Sequence, residues 1–177
     1  MKSQKIAFTD FEMTGLDPLK HEIIEFGLVV ADEETLEEIA RFDQKVLPEH
    51  IETADPQSLG IAGYKEEYWK NAIPMGDALA EYSKLVEGCL FAAWNTHIDW
   101  TFLAEAYRKT NTKNPLDFHV LDVFSTAYEK LRTDTSVELW RLSYLCQKFG
   151  IPREPMPHRA INGAERAHQL YKKLREL

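Results

Sequence analysis

Three strand-like stretches follow one another in this chain before any helical pattern begins, and that order leaves few folds open. Residues 5–12 carry Ile6, Ala7, Phe8 and Phe11 and end at Thr14-Gly15-Leu16-Asp17-Pro18, a turn by composition. Residues 23–32 are mostly apolar and read as a buried strand. Residues 36–47 alternate more clearly through Ile39 and Val46, with Phe42 out of step, which predicts an outer antiparallel strand. With no helix between them, the three predict a meander. The second half alternates instead. Ala78, Leu79, Tyr82, Leu85 and Val86 lie at helical spacing over residues 77–86, and residues 90–94 form a short apolar strand. A helix is expected from about residue 99 to 108, a strand at 119–123 and another helix to about 131. Leu142, Leu145, Cys146 and Phe149 recur at helical spacing before Gly150, which predicts a helix with a glycine stop. Ala160, Ala164, Ala167, Tyr171 and Leu174 mark a last helix with a narrow stripe of small residues. Strands first and alternation afterwards predict one α/β domain over residues 1–177, a mixed sheet with helices on both faces.

Within that frame Asp10 and Glu12 are conspicuous. They are two apart on a predicted strand, so their side chains leave the same face of the sheet. Two like charges on one face of an interior strand cost several kcal/mol unless something compensates them. Hard divalent cations such as Mg²⁺ or Mn²⁺, which prefer carboxylate oxygen, would do so. Spacing alone leaves a second reading open: Asp10 ends the strand and caps the turn, while Glu12 points to solvent.

Charge narrows the partners. A formal net charge of −8 argues against coating nucleic acid with a broad basic surface. It leaves room for an enzyme that handles one strand end, because bound cations would reverse the local field. No apolar run approaches the roughly 18 residues needed to cross a bilayer, so no membrane is expected as a partner. The opening residues lead straight into a core strand, which argues against a secretory signal. Cys89 and Cys146 lie in no metal-ligand spacing and read as buried free thiols, in keeping with a cytoplasmic protein.

Four stretches carry a resemblance. Asp10-Phe11-Glu12-Met13-Thr14-Gly15-Leu16-Asp17-Pro18 is similar to the first motif of the proofreading-type (DEDD) 3′–5′ exonucleases, which include oligoribonuclease, ribonuclease T and polymerase proofreading subunits. Asn95-Thr96-His97-Ile98-Asp99 resembles their Asn-x-x-x-Asp segment at the head of a helix, and residues 142–151 resemble the helix ending in Phe-Gly-Ile. Pro157-His158-Arg159-Ala160 looks like the closing motif of the histidine subgroup. The resemblance spans residues 5–174 in the right order and implies a ribonuclease H-like fold. It further implies that Asp10 bridges two divalent ions, that Glu12 completes one and that Asp99 serves the other. His158 would then be the general base on the attacking water, which suits an imidazole. Met13, Thr14, Gly15, Leu16, Asn95 and Trp100 would contact the terminal nucleotide of a single-stranded DNA or RNA 3′ end, with a nucleoside monophosphate as product. The choice of sugar stays open, since tolerance of a 2′-hydroxyl follows pocket shape, and so does the oligomeric state.

One position departs from the pattern. Five residues after the histidine the resemblance calls for a further Asp ligand, and this chain has Gly163. On a helix Glu165 is rotated from it by about 200° and Asn162 by about 100°, while Arg166 is nearest in angle but carries the wrong charge. Three readings follow: an active exonuclease whose metal takes water or a carboxylate from elsewhere, a silent relative that binds strand ends or serves a polymerase as scaffold, or an inactivated variant.

Overall fold

The computed structural model, which describes residues 5–177, begins with three strands and no helix between them: β1 (Lys5–Met13), β2 (Ile23–Asp32) and β3 (Glu38–Lys45). The first four residues, which bear on the expected absence of a secretory signal, lie outside the described residues. A short helix α1 (Pro56–Ala62), capped by the Asp55 carboxylate, precedes α2 (Met75–Val86), β4 (Leu90–Ala93), α3 (Thr96–Lys109) and β5 (Val120–Asp122). Three helices close the chain: α4 (Val123–Leu131), α5 (Leu142–Lys148) and α6 (Ala160–Arg175). The sheet order is β3-β2-β1-β4-β5. β1, β2 and β3 pair antiparallel, whereas β4 and β5 join in parallel. This is the mixed sheet expected from the order of patterns, in the ribonuclease H-like form that the resemblance implies; of the helices described, α1 had no counterpart in the expected order.

Both faces of the sheet are covered. Ala7, Phe11, Phe26, Leu28 and Val30 pack against Leu79 and Tyr82 of α2 and Leu103 of α3. On the opposite face Ile6, Phe8, Val29 and Ala31 meet Ala127 of α4, Leu145 of α5 and Leu170 of α6. Each large apolar side chain enclosed this way contributes about 1.5–3 kcal/mol. Polar groups on two sides of the core find partners: the Thr9 hydroxyl lies 2.8 Å from the Tyr82 hydroxyl, and the Trp69 indole N–H donates to the Ile24 carbonyl at 3.0 Å. β1 therefore runs through the middle of the molecule, and its alternation assigns Asp10 and Glu12 to the α6 face.

Pairing between β1 and β4 stops at Phe8 opposite Ala92. Beyond it the two strands part, the chain turns into α3, and a cleft opens at their carboxyl ends. Parallel strands that splay where the chain leaves them make the usual ligand crevice of such sheets.

Candidate active site

Asp10 stands opposite Gly27 in the β1–β2 register, and Glu12 stands opposite Glu25. Helix α6 crosses directly above. A Cβ at Gly27 would lie 2.0 Å from the carbonyl carbon of Ala160, a contact with backbone that no rotamer relieves. A Cβ at Gly163 would lie 2.3 Å from Asp10 Oδ2 and 2.5 Å from its Cγ. Two missing side chains thus let the helix settle onto the sheet, and the Asp10 carboxylate fills the space beside Gly163.

Asp99 enters from the other side of the cleft. It lies in the first turn of α3, where helix-dipole and N–H groups favour a carboxylate. Its Oδ1 accepts the N–H of Phe11 at 3.2 Å, the donor that β4 leaves unpaired where the strands part. Asp122 fixes the helix itself: it accepts the Thr96 N–H at 3.2 Å and caps α4 through the Ser125 N–H at 3.2 Å. Thr96 adds a hydroxyl donated to the Leu121 carbonyl at 2.9 Å.

His158 belongs to the loop before α6, pinned by its N–H to the Ile61 carbonyl at 3.0 Å. Its side chain lines one cavity with Asp10, Trp94, Asn95, Glu154 and Gly163. Arg159 turns the other way. Its guanidinium Nε donates to the fully buried Glu25, and Nη2 reaches Asp43 at 3.3 Å.

Electrostatics mark the carboxylates as a set under mutual stress. Burial, followed by the charges of Asp99 and Glu12, holds Asp10 well above the usual carboxyl range. Burial raises Glu12 to about 8, reinforced by Glu25, Glu154 and Asp99 and opposed by Arg159. Asp99 is pushed by burial to about 7, partly offset by the N–H of Phe11. Glu25 is likewise raised by burial against the pull of Arg159, and its Oε2 is enclosed with no hydrogen-bond partner.

This donor set suits a hard divalent cation by chemistry: carboxylate oxygens only, buried, repelling one another, one of them orphaned. Among the described residues no three such groups already stand at cage distance, so the carboxylates are neighbours rather than a ready-made cage. A cation would have to draw them together against their repulsion.

The residues expected at the nucleotide divide. Asn95 lines the cavity and opens α3 in the left-handed conformation at φ 57°. Leu16 is 76% exposed, beside a hollow formed with Pro18, His97 and Phe102. Thr14 is buried, with its hydroxyl accepting the Glu22 N–H at 2.9 Å, and Gly15 packs under His21. Met13 and Trp100 pack on the core, Trp100 edge-on to Phe91 with centroids 5.3 Å apart. Trp94, not Trp100, faces the Asp10 cavity. Sequence reasoning missed Glu25 as a member of the cluster, although a lone charge in an apolar strand was its visible signal. It missed Glu154 entirely, since a residue in a proline-flanked loop has no periodicity to betray it.

Residues 7–171 match the family model described as Exonuclease. The 3′–5′ exonuclease DinG of Bacillus subtilis (strain 168) is 28% identical over 166 residues, which cover 93% of this chain but 17% of that protein. The chain thus spans about a sixth of the length of that relative. The nuclease domain of 3′hExo, a DEDDh family member bound to rAMP, superposes with a TM-score of 0.77 at 22% identity, over 99% of this chain and 93% of that one. A zinc-bound form of the E. coli exonuclease I–single-stranded DNA complex gives a TM-score of 0.83 at 14% identity, over 98% of this chain and 41% of that one. Among the described residues no helix is long and apolar enough to cross a membrane.

Proposed function

The chain belongs to the exonuclease family, and from that premise we propose that it is a metal-dependent 3′–5′ exonuclease acting on single-stranded DNA or RNA. The observation that carries the reading is the meeting of Asp10 with Gly163 and His158 at one cavity, with Asp99 bonded to the β1 backbone next to Asp10, from three separate stretches of chain. Asp10, Glu12 and Asp99 would hold the divalent ions, Mg²⁺ or Mn²⁺. Such ions, when bound, neutralise a scissile phosphate and make water easier to ionise. Glu12 and Asp99, which bind protons near neutrality, would exchange them for the cations. His158 would accept the proton of the water that attacks phosphorus while the bond to the 3′ oxygen breaks, releasing a nucleoside monophosphate. Asn95 and Trp94 would flank the terminal nucleotide in the cavity, and Leu16 would meet it from the opposite lip. The nuclease domain bound to rAMP and the exonuclease bound to single-stranded DNA support a strand end as the substrate.

One observation favours a second reading. With Gly163 where the resemblance calls for an Asp, the chain could hold a 3′ end without cutting it. Incubating a 5′-labelled single-stranded oligonucleotide with Mn²⁺ or Mg²⁺ separates the two. Stepwise shortening that EDTA and Asp10→Ala both abolish supports the exonuclease. Retention of the strand at full length, with binding intact, supports the end-binding module.

A further inference from the structure

We infer that Glu154, on the loop between α5 and α6, supplies the carboxylate that α6 lacks at Gly163 and completes the cation-binding set with Asp10, Glu12 and Asp99. The inference rests on the exonuclease reading and deepens it at one residue.

Helix α6 itself cannot restore the missing oxygen. Asp10 occupies the space into which a side chain at 163 would grow. Glu165, two residues on, is turned outward and accepts from Arg41 Nη1 at 2.8 Å. Arg166 lines the cavity too but is a cation, committed to the Pro152 carbonyl at 2.8 Å from Nη2 and 3.2 Å from Nε and to Glu154 through Nη1. From across the cavity, however, the loop presents Glu154 alongside Asp10, His158 and Gly163.

Glu154 is a built feature rather than a wandering surface acid. Its side chain is only 14% exposed. One oxygen accepts the Arg159 N–H at 3.2 Å, and the other accepts Arg166 Nη1 at 2.7 Å. A carboxylate offers about four acceptor positions, so each oxygen keeps one for a further partner. Glu154 lines the same cavity as Asp10, the expected ligand on β1.

Pairing with Arg166 alone would account for a buried glutamate, but not for one set against carboxylates that already repel. Glu25 Oε2 supplies an independent sign: it is fully enclosed beside Glu12 with no hydrogen-bond partner, although Arg159 holds its other oxygen. Arg166 offsets the charge of Glu154 and Arg159 that of Glu25, which leaves a cation as the partner that Asp10, Glu12 and Asp99 still lack.

Calorimetric titration of Mn²⁺ into the full chain, without substrate, tests the assignment. Glu154→Gln keeps an oxygen for one of its donors and removes the charge. It is expected to weaken Mn²⁺ binding about 10–100-fold, whereas unchanged affinity overturns the proposal. Asp10→Asn distinguishes the failures. If it weakens Mn²⁺ binding and Glu154→Gln does not, only the role of Glu154 falls; if neither does, the metal-dependent reading falls with it. Should Glu154→Gln fold poorly, crystals of the unchanged chain grown with Mn²⁺ decide the matter by anomalous scattering. An ion within about 2.0–2.6 Å of a Glu154 oxygen supports the proposal. Ions held by Asp10, Glu12 or Asp99 with Glu154 bonded only to Arg166 overturn it.

Discussion

Glu12 and Asp99 keep their protons to about pH 8 and about pH 7, far above where ordinary carboxyl groups release them, because burial makes the charged forms costly. In the metal-free protein this sets the sign of a pH effect. Between the unfolded and folded pKa values the native state binds more protons than the unfolded chain, so stability falls as pH rises through that window. In EDTA the unfolding temperature is therefore expected to drop between about pH 5 and pH 8, and Glu12→Gln should flatten the slope. A cation reverses the preference, since it needs the ionised carboxylates. Added Mn²⁺ should stabilise the protein more at the upper end of that range than at the lower. Equal stabilisation at both ends, followed by scanning calorimetry, would count against protons and cation competing for one set of oxygens.

At the scale of elements, the site depends on how closely α6 approaches β1 and β2. Gly27 is the decisive residue, because the backbone of Ala160 and Ile161 lies where its Cβ would be. Gly27→Ala is expected to push the start of α6 off the sheet and to cost about 1–3 kcal/mol, read as a lower denaturation midpoint at unchanged slope. Because Asp10 is the strand partner of Gly27 and His158 lies two residues before Ala160, Mn²⁺ affinity should fall together with stability. A Gly27→Ala protein as stable as the parent would show that α6 rides higher above the sheet than this backbone contact requires. The same crowding bears on Gly163→Asp: the new side chain must displace the Asp10 carboxylate before it can join it.

For the molecule as a whole, a net charge of −8 means that a phosphate chain is repelled until cations intervene. Fluorescence anisotropy with a labelled single strand should show little binding in EDTA and clear binding with divalent ions. Ca²⁺ serves here as a hard cation that fills oxygen sites. Binding of equal strength in EDTA would reveal a basic surface of the kind the composition argues against.

The order of strands and helices is legible along the chain, because periodicities of two and about 3.6 residues are set by the local backbone. The sequence likewise put Asp10 and Glu12 on one face, ended α5 before Gly150 and marked Gly163 as a departure. Which groups become their neighbours follows from packing between distant segments. Asp99 reaches β1 because β4 stops pairing at Ala92 and leaves the Phe11 N–H free. Trp100 sinks into the core while Trp94 faces the cavity, a choice made by packing on Phe91 and Phe124. Glu25 joins the cluster from β2, and Arg159 and Glu154 join it from the loop before α6, two segments whose only relation is spatial. Charges interact through distance and burial, and neither quantity is written along the chain until the helices have closed over the sheet.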